Sequence, residues 1–237
     1  MFPERLETDR LVLERLCHEN VDAFELYECF ADGDRTRDVF EHVPQRPYRV
    51  PMEARERIDD AEESWADREA AEYAVRPGPG EEGAGELAGV TGLFCDWERR
   101  TGGLGLILAE PFWGRGYSGE RAAALLELAF DRLGVELVSV GYNEGNEKSE
   151  RAIEKYVDAH GGRYEGVIRN SVPMNGEIDD FHRYTITREQ YGDAIDDEDP
   201  IDDEDPIDDE DPIGDEDPIG DEDSIGDEDS IDAQRSR

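Results

Sequence analysis

The chain has 237 residues, of which 64 are acidic and 25 are lysine or arginine, a formal net charge of −39. That length holds one ordinary domain with a real core, and so acidic a balance leaves no basic stripe for phosphates, which excludes a broad nucleic-acid footprint. Three irregularly spaced cysteines, Cys17, Cys29 and Cys95, exclude a disulfide scaffold and a cysteine-rich zinc site.

The charge is spread unevenly. Residues 195–237 hold 22 of the acids and 2 of the basic residues, so the remainder still carries about −19. Lys148 and Lys155 are the only lysines. An acid-rich, lysine-poor surface on a domain with a core suggests a cytoplasm of very high salt, where a Debye length of about 3 Å makes carboxylate repulsion weak. The opening MFPERLETDR is charged from its fourth residue, and no apolar run approaches the ~18 residues of a spanning helix. A soluble, cytoplasmic protein without a membrane partner is expected.

In chain order, RLVLERL at 10–16 alternates apolar and polar residues and predicts a half-buried strand. Residues 18–30 have helical spacing. Residues 50–69 predict a surface helix beginning near Pro51, and 71–75 a short strand closed by the breaker run PGPGEEGAG. Two strands at 87–97 and 103–109 flank a turn. Residues 116–133 predict a strongly amphipathic helix with Ala122, Leu125, Leu126, Ala129, Phe130 and Leu133 on one face. A strand at 136–142, a helix at 146–160 stopped by Gly161 and Gly162, and strands at 163–168 and 181–187 complete the domain. Hairpins with one parallel crossover indicate an α/β or α+β sheet domain. From Ile195 the sequence repeats IDDEDP, IGDEDP and IGDEDS hexapeptides. One isoleucine in six residues builds no core, so 194–237 is expected to be a disordered, solvating tail after a domain at 1–193.

The chemistry concentrates between Leu104 and Phe130. A strand runs into Pro111, then Trp113, Gly114, Arg115, Gly116, Tyr117 and Ser118 form a tight turn, then a helix begins. Two glycines let the backbone turn sharply and approach a ligand. The helix that follows presents unpaired N–H groups and a partial positive charge. Together these make a phosphate cradle built from backbone, to which Arg115 could add a charged contact. A Walker loop is excluded by the missing Gly-Lys-Ser/Thr, and a Rossmann fingerprint by the missing third glycine. Asn146 stands at the start of a helix, where an N-cap role competes with ligand contact. Ser149 lies three residues on, on the same helical face.

The turn resembles motif A of the GNAT acetyltransferase superfamily, Arg/Gln-x-x-Gly-x-Gly/Ala. Trp113 stands at the first position, as in the ribosomal-protein-alanine (RimJ/RimL-like) branch; Gly116 is the central glycine, and Ser118 replaces the usual Gly or Ala. Thr8 to Leu13 resembles that branch's opening T-x-R-L-x-L, Asn146 to Lys155 its N-x-x-S-x-R-x-x-E-K, Tyr164 to Asn170 its F-x-x-E-G-x-x-R-x, and Asp180 to Gln190 its closing D-x-x-x-Y-x-x-x-R-E-x. The resemblance implies a mixed, mostly antiparallel sheet of six or seven strands, splayed at an acetyl-CoA cleft, with helices on both faces.

It also implies that the backbone of Leu106, Ile107 and Leu108 pairs with the pantetheine arm. The N–H groups of the turn would hold the pyrophosphate, and Asn146 would touch the pantetheine or acetyl region. Ser149 would protonate the leaving thiolate. The activity implied is N-acetyl transfer from acetyl-CoA, without a metal, to a protein N-terminal amine or a small amine. For the general base, Glu165, Glu177, Asp179, His182 and a water chain stay open, with His182 as readily a structural histidine. Two other readings compete: a GNAT-fold module that holds CoA without catalysis, and an interaction protein whose acidic tail recruits basic partners. Monomer and homodimer are both compatible with the sequence. The acceptor would be selected by the 18–68 helices and a loop near 170–177.

Overall fold

The computed structural model describes residues 1–33, 36–174 and 177–198, and the hexapeptide repeats beyond 198 lie outside it. Its elements are β1 (Arg5–Glu7), β2 (Leu11–Arg15), α1 (Ala23–Phe30), α2 (Arg37–Phe40), α3 (Pro51–Ala66), β3 (Ala70–Pro77), β4 (Gly89–Asp96), β5 (Thr101–Leu108), α4 (Tyr117–Glu127), β6 (Leu137–Asn143), α5 (Glu147–Ala159), β7 (Arg163–Met174), β8 (Glu177–Thr187) and α6 (Arg188–Glu198). One sheet of eight strands runs β1-β2-β3-β4-β5-β6-β8-β7, antiparallel at every step but β5–β6.

Register sorts the side chains into two faces. Glu72, Gly92 and Gly105 form one cross-strand row, and Tyr73, Thr91 and Leu106 the neighbouring row on the other face. On the first face Glu72 meets Arg57 of α3, and Arg76 meets Glu25 of α1. On the second face Tyr142 donates to Glu150, and Tyr184 to Glu154, both on α5. Helices therefore cover both faces, and β3, enclosed by them, is buried at every position but Arg76.

The helices form for local reasons. The Asp22 carboxylate caps α1 by accepting from the Phe24 N–H. Pro51 opens α3, and Glu53 reaches back to the N–H groups of Arg49 and Val50. Ala54, Ile58 and Ala61 carry its buried stripe. Helix α4 buries Ala122, Leu125 and Leu126, then widens into a π-type turn over Leu128–Arg132 that buries Ala129 and Phe130.

Two expectations needed correction. The sheet has eight strands because the three-residue β1 pairs with β2, and three residues are too few to show a period. The segment read as a loop near 170–177 is largely ladder: Val172, Pro173 and Met174 pair with Asp179, Ile178 and Glu177. Helix α6 spans Arg188–Glu198. It is anchored by Tyr191, 6% exposed, whose ring lies 4.9 Å from Phe130. Among the described residues no helix is long and apolar enough to cross a membrane.

Candidate active site

The sheet opens where its one parallel pair ends. Strands β5 and β6 are bonded only at Thr101–Leu137, Gly102–Val138 and Gly103–Ser139. Beyond that point β5 continues to Leu108 and β6 to Asn143 with no ladder between them. One edge of β5, through Leu104, Gly105, Leu106, Ile107 and Leu108, therefore faces a gap, and all five residues are only partly buried. Leu104, Leu106 and Leu108 point to the face of α4 and α5, and Gly105 and Ile107 to the face of α1 and α3. An unpaired strand edge is a row of amide donors and acceptors, able to pair with an extended amide-bearing ligand.

The turn after β5 closes one end of this gap. The Trp113 indole donates to the Leu108 carbonyl at 2.8 Å, which fixes the turn to the strand. Gly114 and Gly116 take φ +75 and +81, a left-handed conformation that side chains disfavour. Gly116 serves as the N-cap of α4 without any side-chain cap. Among the described residues, the N–H groups of Gly114, Arg115, Gly116, Tyr117 and Ser118 have no acceptor in the protein. Five free donors at the positive end of a helix form an anion cradle.

A clasp from the opposite end of the chain holds this turn. The Glu120 carboxylate accepts from Thr8 Oγ1 at 2.5 Å, from the Arg10 N–H at 2.6 Å and from Arg10 Nε at 2.7 Å. Arg10 Nη1 also donates to the Arg115 carbonyl at 2.9 Å. Partial burial pushes the Glu120 carboxyl up, but the donors from Thr8 and Arg10, with the Arg10 charge, outweigh it and hold the group below the usual carboxylate range. The Arg115 guanidinium donates to the Glu82 carbonyl at 2.8 Å and lies 3.6 Å from the Glu82 carboxylate. Lys148 stands with its Nζ 4.0 Å from the centroid of the Trp113 ring, beside the turn.

Across the gap, Asn146 caps α5, its side chain accepting from the Ser149 N–H at 3.1 Å. The Ser149 hydroxyl makes no hydrogen bond among the described residues and is partly buried. The structure thus brings Leu106, Ile107, Leu108, the turn at 113–118, Asn146 and Ser149 to the two borders of one opening.

The base candidates are placed differently. The Glu165 carboxylate accepts from Thr185 Oγ1 at 2.6 Å and from Arg163 Nε at 2.9 Å; those bonds hold it below the usual range, and β8 separates its strand from β6. The His182 ring stacks on Tyr142 at 4.6 Å, and its nitrogens meet the Tyr164 hydroxyl at 2.9 Å and Glu144 at 2.6 Å. Asp179 lies opposite Val172 in the outer hairpin, and the side chain of Glu177 is outside the described residues. On the α1 and α3 face, the Phe94 ring, 47% exposed, lies across Gly92 and Gly105. The segment after α2 reaches the end of β6, where Asn143 Nδ2 donates to the His42 carbonyl at 2.8 Å. One surface group of possible metal ligands, His18, Asp59 and Glu62, is present among the described residues, with His18 already bonded to both acids.

Residues 10–156 match the acetyltransferase (GNAT) domain family. This chain belongs to the GNAT acetyltransferase family. Its fold is shared with a GCN5-related N-acetyltransferase from Brucella melitensis, at 19% identity and TM-score 0.68, covering 82% of this chain and 83% of that one. It is also similar to the microcin C7 self-immunity acetyltransferase MccE, solved with acetyl-CoA and AMP, at 18% identity and TM-score 0.67, covering 78% and 97%. A Vibrio cholerae protein provisionally assigned as a ribosomal-protein-serine acetyltransferase matches at 20% identity and TM-score 0.63, covering 79% and 99%. No curated protein sequence matches the chain.

For a GNAT acetyltransferase, the clasp is the part of the site that sequence reasoning missed. Thr8 and Arg10 stand in the sequence within the opening T-x-R-L-x-L segment with no partner assigned, and Glu120 carries no signal of its own. Their contact joins residues more than a hundred positions apart, which no local pattern announces.

Proposed function

We propose that this acetyltransferase moves the acetyl group of acetyl-CoA to a primary amine, with a protein N-terminal amine as the leading acceptor and a small amine as the other. The observation that carries the proposal is the β5–β6 opening bordered by the free donors of the turn at 113–118. In this reading the exposed edge at Leu106, Ile107 and Leu108 pairs with the pantetheine amides, and the N–H groups of residues 114–118 hold the diphosphate. The thioester then lies between the strands. The preference for an N-terminal amine rests on the ribosomal-protein-alanine type motifs at Trp113 and at Asn146 to Lys155.

The transfer needs three things from the chain. The neutral amine nitrogen attacks the thioester carbonyl carbon, the carbon–sulfur bond breaks, and the sulfur leaves with the bond pair. Ser149, whose hydroxyl makes no hydrogen bond among the described residues, donates a proton to that sulfur and takes one back from solvent. The amine's proton passes to water or a carboxylate at the mouth. The developing oxyanion is met by N–H donors of the unpaired β5 edge. Asn146 fixes the start of α5 and so the position of Ser149.

The test is thiol release from acetyl-CoA by the purified full chain, in molar salt, with peptides bearing free or blocked N-termini and with small diamines. Release with free N-termini alone is expected. Release with diamines alone would move the acceptor to small amines. Absence of both release and CoA binding would refute the reading.

A further inference from the structure

Helix α4 carries a charge in an unusual place. Arg121 falls on the buried stripe of that helix with Tyr117, Ala122, Leu125 and Leu126, and is 2% exposed. Its Nε and Nη1 atoms are buried and have no hydrogen-bond partner. Tyr156 of α5 presents its ring 5.7 Å from the guanidinium carbon. The Tyr156 hydroxyl stands beside the guanidinium without meeting hydrogen-bond geometry, and is itself buried and unpartnered. No carboxylate among the described residues pairs with Arg121. A buried guanidinium with no counter-charge among the described residues, and only the neutral Tyr156 hydroxyl as a polar neighbour, is costly for a core to hold. A chain that keeps one there gains something outside the free fold.

The helix geometry says where the charge acts. Arg121 lies four residues after Tyr117 and three after Ser118, on the same surface of the helix as those two free donors. Tyr156, whose Cβ would lie 3.9 Å from a Cβ at Gly119 in the first turn of α4, holds the guanidinium 5.7 Å from its ring, which agrees with the general lean of helical side chains toward the N-terminus. The positive end of the α4 dipole sits at the same point. Glu120, the acid of that turn, is already matched by Arg10 and Thr8. Of the other carboxylates near this turn, Glu82 lies 3.6 Å from the Arg115 guanidinium and Glu81 accepts from the Tyr117 hydroxyl at 2.8 Å, so five free N–H groups, a helix end and a guanidinium still stack positive potential at the first turn. In a domain otherwise so acidic, this concentration is local and deliberate in its placement.

We propose that Arg121 is the buried cationic backing of the coenzyme's phosphate site, left unpartnered in the free protein so that the diphosphate bound at residues 114–118 satisfies its charge. This rests on the acetyl-CoA reading above. Arg121 acts here as a positioning charge behind the backbone donors and takes no part in the chemical step.

The experiment is calorimetric titration of the wild-type full chain, Arg121→Met and Arg121→Lys with CoA, dephospho-CoA and pantetheine, with melting temperatures of each unliganded protein. Methionine keeps the bulk and loses the charge. Arg121→Met should bind CoA and dephospho-CoA about tenfold more weakly, the scale of one unit charge acting through several ångströms of partly screened medium, while pantetheine affinity stays unchanged. The unliganded variant should melt above wild type, because an uncompensated buried charge has been removed. Arg121→Lys should retain most of the affinity. Equal CoA affinity in wild type and Arg121→Met overturns the proposal, and so does an equal loss for pantetheine. A loss for CoA with none for dephospho-CoA would assign the charge to the 3′-phosphate and overturn the diphosphate assignment. Should Arg121→Met not fold, Arg121→Gln replaces it: weaker binding of CoA and dephospho-CoA than wild type with unchanged pantetheine affinity supports the proposal, and CoA affinity equal to wild type overturns it. Wild type that binds neither CoA nor dephospho-CoA sinks the acetyl-CoA reading itself; wild type that binds them indistinguishably from Arg121→Met sinks only this inference.

Discussion

The turn at Gly116 can be tested by separating backbone strain from charge. Gly116→Ala and Gly116→Asp both force a side chain into φ +81, which costs about 1–2 kcal/mol. Asp tolerates the left-handed region somewhat better than Ala. In both variants the new Cβ would lie 3.3 Å from Arg10 Nη2, which Glu120 holds in place, so the crowding is the same for the two and cancels in their comparison. Only Asp brings a negative charge beside the cradle. A diphosphate of roughly two charges at about 6 Å interacts with it by about 1.4 kcal/mol in bulk-like dielectric, and several times that in a partly desolvated site. Gly116→Asp should therefore bind CoA at least about tenfold more weakly than Gly116→Ala in 0.1 M salt. In molar salt, where the Debye length falls to about 3 Å, that gap should narrow. Calorimetric titration of CoA into both variants at the two salt levels reads all four affinities. Equal CoA affinity for the Ala and Asp variants at low salt would mean that no phosphate sits at this turn.

Other parts of the site give independent outcomes. Ser149→Ala should lower turnover by about 10²-fold, the usual contribution of a positioned acid, with CoA affinity unchanged; turnover equal to wild type in a thiol-release assay would reduce Ser149 to scaffold. Glu120→Gln removes the charge that Arg10 and Thr8 hold. It should lower stability by ~1–2 kcal/mol, since the pair is partly exposed, and raise the KM for acetyl-CoA as the turn loosens. Because the folded Glu120 pKa lies below its ordinary value of 4.5, its stabilisation is present above that pH and is lost as pH falls through the depressed value. Thermal melts from pH 6 to pH 3 should thus fall less steeply for Glu120→Gln, and identical acid limbs would count against the clasp. A chain ending at Glu198 keeps the whole of α6 and should retain wild-type turnover; loss of activity would bring the acidic repeats into the reaction.

How much of this was legible in the sequence follows from the range of each interaction. The amphipathic helices α4 and α5 declare themselves through apolar spacing, and the turn through its glycines, because both signals are local. Strand β1 has three residues, too few to show a period. The β7–β8 ladder hid because Asn170, at φ +50, and the register shift between Ile168 and Val172 break its alternation. Helix α6 was obscured by composition: Asp196 and its neighbours read as a repelling run, yet Tyr191, packed on Phe130 and stacked on His160, anchors the helix that carries them. The Arg10–Glu120 clasp is a contact across the domain and leaves no local trace. Arg121 did leave one, as an arginine on the apolar stripe of α4, but a pattern that scores only apolar positions passes over it.

A domain carrying about −19 that binds a polyphosphate faces a conflict of ranges, and its resolution predicts an inverted salt response. The repulsion between CoA and the acidic surface acts across solvent, where a Debye length of ~10 Å at 0.1 M salt still lets it reach and one of about 3 Å at 1 M does not. The attraction in the proposed site is short-range: the free N–H groups at residues 114–118, backed by a helix end, would meet phosphate oxygens directly. Salt removes the first far more than the second. A cradle of mobile surface lysines would behave in the opposite way, losing affinity steadily as counterions compete, but Lys148 is the one lysine beside this turn. CoA affinity should therefore rise between 0.1 M and 1 M potassium chloride, measured at constant pH. Pantetheine, which has no phosphate, should show little change over the same range. An affinity for CoA that falls steadily across that interval would show that attraction to surface cations dominates, and would remove the case for a backbone-built site adapted to high salt.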